Sequence, residues 1–287
     1  MLTDPQTLTR LERLVSLARR VASPPSKRRL LRRPGRGIEP GARRDYTPGD
    51  DVRLVDWPAF ARLERLLVKV PEDLPEPRLD LIVDGSGSTG RGDPTPHLRA
   101  CLATAALAAC AVAREVRTVV WWAGAPVART ALHRPGELVS LLRWLADREP
   151  GGGGALESTC TQVSETASSR GSAVLLSDGL CPSALPAALR LRNAGFEPLV
   201  VLAFTAAEVA PDLASAADQA GLAHIVDAET GASRQVPIGY LTLRAAGEAR
   251  ARRSRALLAR LHERKIATAT LAAEAPFEDV ALGLLRG

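Results

Sequence analysis

Two stretches of this chain share one signature, an apolar run that stops abruptly at aspartate and glycine. Leu79-Asp80-Leu81-Ile82-Val83-Asp84-Gly85 is the first, and Ala173-Val174-Leu175-Leu176-Ser177-Asp178-Gly179 is the second. Nearly continuous apolar runs of this length mark strands buried on both faces, which is the condition of a parallel sheet covered by helices on either side. Around them the pattern alternates. Helical spacing is read over 97–116, 137–147, 155–169, 183–194, 240–265 and 276–285, and strands over 117–123, 198–204 and 266–271. Residues 127–130 read as a short antiparallel neighbour, and 223–226 with 234–236 as a small hairpin around Glu229-Thr230-Gly231. Strands and helices alternating at these lengths predict an α/β fold with a doubly wound, mostly parallel sheet.

The first quarter of the chain is organised differently. Leu8, Leu11, Leu14, Val15 and Leu17 recur at helical spacing over 6–22, and Pro24-Pro25 ends that helix. Residues 23–53 are rich in Pro, Gly and Arg, 53–70 read as extended segments around a short turn or helix, and 71–77 as a linker. The expected division is a small N-terminal helical and extended module over 1–73 and the α/β domain over 74–287.

With 46% hydrophobic residues among 287 the chain can bury a sizeable core, and with only 3% aromatics Leu, Val and Ala must build it. The N-terminus lacks a basic segment followed by an apolar one, and no run of about 18 apolar residues is free of charge. Cys101, Cys110, Cys160 and Cys181 form no C-x-x-C pair, and the first two lie on an Ala-rich helical pattern as buried thiols. A cytoplasmic, membrane-free setting is the expectation. The net charge of +6 is concentrated in two basic runs, 27–44 and 250–265. They read either as solvated surfaces or as docking surfaces for an acidic partner. The absence of interleaved aromatics and of any zinc-finger, RNP or helix-turn-helix signature speaks against nucleic acid.

The loop after the first run, Asp84-Gly85-Ser86-Gly87-Ser88-Thr89-Gly90, admits several chemistries. As a dinucleotide fingerprint it fails: Asp84 would repel a pyrophosphate, residues 91–96 separate the third glycine from the helix, and no acid closes the next strand. Neither serine sits in the G-x-S-x-G frame of a nucleophile elbow. A polar turn whose Ser and Asp cap backbone groups remains open. The other reading is a cation site, since a carboxylate and two hydroxyls are hard oxygen ligands suited to Mg²⁺ or Mn²⁺. Asp178 supports it, because both acids end buried strands, and ligands of doubly wound sheets bind outside the carboxyl ends of strands.

Asp84-x-Ser86-x-Ser88 with Asp178-Gly179 resembles the metal-ion-dependent adhesion site of von Willebrand factor A-type domains. Arg44-Asp45-Tyr46-Thr47-Pro48-Gly49-Asp50-Asp51-Val52-Arg53-Leu54-Val55-Asp56-Trp57, with Ala61-Arg62 and Val68-Lys69 beyond it, is similar to the long signature of a narrower bacterial family. That family is domain of unknown function fifty-eight, von Willebrand A-like proteins often paired with MoxR-type AAA+ ATPases. Asp-Ala-Glu-Thr-Gly at 227–231 also looks like it. The resemblance implies a non-enzymatic cytosolic adaptor. Ser86 and Ser88 would bind the cation directly, Asp84 and Asp178 would hold it partly through water, and an open position would take a partner's acidic side chain.

Two departures from the family pattern stand out. The adhesion-site threonine falls at Gly153, Gly154 or Ala155, and Glu39 is followed by Pro40 where an aromatic is common. In the Tyr46–Trp57 segment, an Arg53–Asp56 ion pair with Trp57 as a core anchor is the structural reading. The alternative is a face of Arg43, Arg44, Arg53 and Arg62 that receives the ATPase or a client. Two further functions are compatible with the sequence: a metal-dependent phosphoester hydrolase, for which no general base or arginine clamp is evident, and a metal-free scaffold with a basic docking surface.

Overall fold

The computed structural model describes residues 2–20, 43–69, 78–92, 94–167, 170–203, 221–272 and 275–286. The basic residues 27–36, Glu39-Pro40 and the 71–77 linker lie outside the described residues. The chain divides into two units, residues 1–33 with 77–287, and residues 34–76.

Helix α1 (Pro5–Arg20) opens the larger unit. Asp4 starts it by accepting from the Thr7 backbone N–H at 2.9 Å and the Thr7 hydroxyl at 2.7 Å, which satisfies donors the helix leaves unpaired. The apolar stripe buries Leu11, Leu14, Val15 and Ala18 in the core of the larger unit, against its central Ala-rich helix. The sequence reading placed this helix in a 1–73 module; its packing joins it instead to the α/β domain.

The small unit holds strand β1 (Arg43–Asp45), helix α2 (Trp57–Leu63) and strand β2 (Leu67–Lys69), the strands pairing antiparallel. The Thr47-Pro48-Gly49-Asp50 segment folds as a turn. Asp50 accepts from the Thr47 backbone N–H at 2.8 Å and from Arg44 Nη1 at 2.7 Å. The Arg44 hydrogen bond holds its carboxyl well below the usual carboxylate range. Asp56 caps α2 and pairs with Arg43 at 2.9 Å. Two sequence expectations change here: Arg43, not Arg53, is the partner of Asp56, and Trp57 is 57% exposed rather than a core anchor.

The larger unit is built on a six-stranded sheet. In chain order its elements are β3 (Arg78–Asp84), α3 (Pro96–Val112), β4 (Arg117–Ala123), β5 (Ala128–Leu132), α4 (Leu138–Ala146), α5 (Leu156–Thr166) and β6 (Ser172–Ser177). Then come α6 (Ala184–Asn193), β7 (Glu197–Ala203), the hairpin β8 (Gly221–Val226) and β9 (Ser233–Ile238), α7 (Tyr240–Glu263), β10 (Ala267–Leu271) and α8 (Glu278–Arg286). The sheet order is β10-β7-β6-β3-β4-β5, with every pairing parallel except the β4–β5 edge. Helices α1, α3, α4 and α8 cover one face, and α5, α6 and α7 the other. This is the doubly wound α/β architecture expected from the sequence, and every residue of β3 and β6 is buried, as their apolar runs demand.

Helix α3 explains the scarcity of large side chains. It packs on the sheet and beneath α1, α4 and α8, so nearly every position is buried, and alanine allows close approach on all sides. One acid inside the sheet is accounted for locally. Asp80 accepts from Arg78 at 2.7 and 2.8 Å and from Trp121 Nε1 at 2.9 Å, so its buried charge is paired and hydrogen-bonded.

Candidate functional site

The strand order reverses between β3 and β6: the chain runs β3, β4, β5 outward on one side and β6, β7, β10 outward on the other. A crevice at such a switch point is where open α/β sheets bind ligands. Asp84 closes β3, and Asp178 follows directly on β6, its parallel neighbour. Both acids therefore reach the same edge, at 1% and 0% exposure.

Asp84 is held from two directions. Its Oδ1 accepts from the Ser86 backbone N–H at 3.0 Å, and its Oδ2 from the Ser177 hydroxyl at 2.6 Å. Burial nonetheless raises its pKa to about 6, with the nearby Asp178 charge adding to the rise. Asp178 Oδ1 accepts from the Leu180 backbone N–H at 2.8 Å, while its buried Oδ2 has no hydrogen-bond partner. Ser86 is fully buried, Ser88 is half-buried, and their hydroxyl oxygens lie 3.3 Å apart. The Asp84 loop thus brings its three expected residues together, with Asp178 beside them.

The glycines at 151–154 fold back onto this loop. Gly87 N–H donates to the Gly152 carbonyl at 3.1 Å, and Gly151 N–H to the Gly85 carbonyl at 3.0 Å. Of the three positions left open for the adhesion-site threonine, Gly154 lies against the site: a Cβ there would stand 3.2 Å from Ser86 Cβ and 3.5 Å from Asp84 Oδ1. Of the two neighbouring threonines, Thr161 donates its hydroxyl to the Glu157 carbonyl of its own helix, while Thr159 is buried within α5 and its hydroxyl has no hydrogen-bond partner.

Sequence reasoning missed one residue at the heart of the site. Glu229, in the β8–β9 turn, accepts from the Ser88 backbone N–H at 3.0 Å and the Gly87 backbone N–H at 3.3 Å. Its Asp-Ala-Glu-Thr-Gly context was visible, but nothing in it points to a loop more than a hundred residues away. Ser177 was legible only as a polar residue closing an apolar run. A cleft of about 740 Å³ opens beside Ser88 and Glu229, lined also by Cys181, Arg91, Arg250 and Arg253. Burial, and then the Asp84 charge, push the Cys181 thiol up.

An all-oxygen set of two carboxylates and two hydroxyls fits a hard divalent cation, and the orphaned Asp178 oxygen is the group such a cation would satisfy. Among the described residues no three His, Cys, Asp or Glu side chains converge as a metal cluster, so binding would depend on the serine hydroxyls. Arg44, Arg53 and Arg62 lie in the other unit. Arg44 is engaged by Asp50, Arg62 Nε donates to the Pro58 carbonyl at 3.1 Å, and Arg53 is exposed on the turn before α2.

These features define a doubly wound α/β protein with an oxygen-rich loop at the sheet's switch point. The chain belongs to the family described as protein of unknown function DUF58, which matches it over residues 42–257. No curated protein gives a significant match. Among solved structures, the conserved hypothetical protein BatB from Bacteroides thetaiotaomicron is 10% identical with a TM-score of 0.42, covering 73% of this chain and 97% of that one. An aerotolerance-related membrane protein from Bacteroides fragilis, with multiple mutations to serines, is 12% identical with a TM-score of 0.40, covering 72% and 96%. Among the described residues of this chain no helix is long and apolar enough to cross a membrane.

Proposed function

We propose that this protein is a cytoplasmic, non-enzymatic adaptor whose von Willebrand A-like edge captures an acidic group on a partner. Asp84, Ser86, Ser88 and Asp178 would hold Mg²⁺ or Mn²⁺, which when bound supplies a positive centre for a carboxylate. The chain's own residues do the rest: Ser177 and the Ser86 N–H orient Asp84, and the 151–154 loop fixes the backbone beneath the serines. The reading is carried by the Asp178 oxygen that is fully buried beside Asp84 and has no hydrogen-bond partner. The partner in this reading is a MoxR-type AAA+ ATPase or its client, with Arg44, Arg53 and Arg62 as a second contact surface. Affinity for a purified MoxR-type ATPase, measured by biolayer interferometry, is expected to fall at least tenfold in EDTA and with Asp84→Ala. Equal affinity under both conditions would sink metal-dependent docking.

A second reading rests on Arg91, Arg250 and Arg253, which line the cleft beside Ser88 and supply the cationic wall that the sequence alone did not reveal. That wall also suits a phosphoester. Mg²⁺-dependent phosphatase turnover abolished by Asp178→Asn would favour the hydrolase over the adaptor.

A further inference from the structure

The contact between Glu229 and the Asp84 loop joins segments 141 residues apart in the chain. It is a charge-assisted pair of hydrogen bonds, from the Ser88 N–H at 3.0 Å and the Gly87 N–H at 3.3 Å. The turn and the loop each have hydrogen bonds of their own besides it. The β8–β9 turn is shaped by Asp227, which accepts from the Glu229 and Thr230 backbone N–H groups at 3.0 and 2.8 Å and from the Thr230 hydroxyl at 2.9 Å. The loop is shaped by Asp84, Ser177 and the 151–154 segment. Gly87 N–H has the Gly152 carbonyl as well, so Ser88 N–H is the donor that leans on Glu229.

The two segments nevertheless meet closely. A Cβ on Gly87 would stand 2.1 Å from the Ala228 carbonyl oxygen, so this approach requires glycine. The Glu229 carboxylate sits on the backbone of Ser88, whose hydroxyl faces that of Ser86. Arg250 and Arg253 line the same cleft, as cationic walls suited to a second carboxylate.

We propose that Glu229 is an intrinsic occupant of the docking edge, holding the place that a partner's acidic side chain takes. The inference rests on the docking reading above and adds its regulation. An arriving acid must displace an acid already present, so the free protein is held closed, and only a partner with several contacts overcomes the internal competitor. A single exposed carboxylate on an unrelated protein does not.

The test uses the ¹⁵N-labelled full chain and sodium acetate as the probe, with Mg²⁺ or with EDTA. In Glu229→Ala the Ser88 amide signal, and to a smaller extent that of Gly87, is expected to move upfield while signals away from the Asp84 loop and the β8–β9 turn stay in place. Acetate should then restore it in the variant, with an apparent affinity at least tenfold tighter than any effect in the unsubstituted protein. Glu229→Gln, which keeps one acceptor and loses the charge, should fall between them. An acetate response of equal size in both proteins, or none in either, overturns the latch. The metal enters separately. A variant that responds to acetate equally in Mg²⁺ and in EDTA keeps the latch and removes the metal from the docking reading.

Discussion

Asp84 pairs a carboxylate with an environment that disfavours its charge. Its folded pKa is raised to about 6 from an ordinary 3.8, with burial as the first cause. Between those values the folded state holds more of this proton than the unfolded chain does, so its contribution to stability is present at low pH and is lost as pH rises from about 4 to 6. Asp84→Asn removes the titration. In EDTA, the stability of the unsubstituted protein relative to Asp84→Asn should fall by on the order of 2–3 kcal/mol across that window. Urea unfolding at pH 4.0 and 6.5 measures it, and a difference that stays constant would show that Asp84 is not penalised. Asp80, four residues earlier on the same strand, shows the opposite solution. Arg78 and Trp121 satisfy it fully, so one acid is a structural pair and the other is left poised at the edge.

At the scale of elements, the β8–β9 turn and the Asp84 loop work as a matched pair. Gly87→Ala puts a methyl where the Ala228 carbonyl lies, and one of the two segments must shift. The expected outcome is an upfield Ser88 amide like that of Glu229→Ala, although Glu229 itself is intact; an unchanged Ser88 signal would show that the turn approaches less closely. Elements of this kind mark the limit of what the sequence reveals. The runs at 79–84 and 173–177 were readable because a strand buried on both faces tolerates little else. The sequence predicts the edge strand at 127–130 and the structure has it at Ala128–Leu132, an ordinary boundary shift at a half-exposed edge. Helix α1 was readable as amphipathic, but a stripe shows only that one face is covered, not by what. Glu229 was illegible for the same reason: its role depends on where a distant hairpin lands. Gly154 could not be separated from Gly153 and Ala155 until the backbone placed it against Asp84.

For the whole molecule, the larger unit is discontinuous in sequence, since residues 34–76 are inserted between α1 and β3. A truncated chain beginning at Pro77 therefore loses part of its own core, not a separable module. Leu11 and Leu14, at 0% and 4% exposure, leave holes over α3 when α1 is removed. Each lost side chain costs about 2–5 kcal/mol. The truncated chain should melt far below the full chain or fail to fold, and an equal Tm by calorimetry would show α1 to be dispensable.

The long reach of the contacts around Asp84 also has a consequence in time. Ser177 meets Asp84 across 93 residues, and Glu229 meets Ser88 across 141. Contacts so distant along the chain form late, after local helices and neighbouring strands. A nascent chain halted before residue 177 carries the Asp84 loop but neither the second acid nor the internal competitor. One halted between β6 and the hairpin has the acid pair with no Glu229 over it. If the domain folds as it is synthesised, the edge is uncovered for that interval, and the emerging hairpin then brings Glu229 over it.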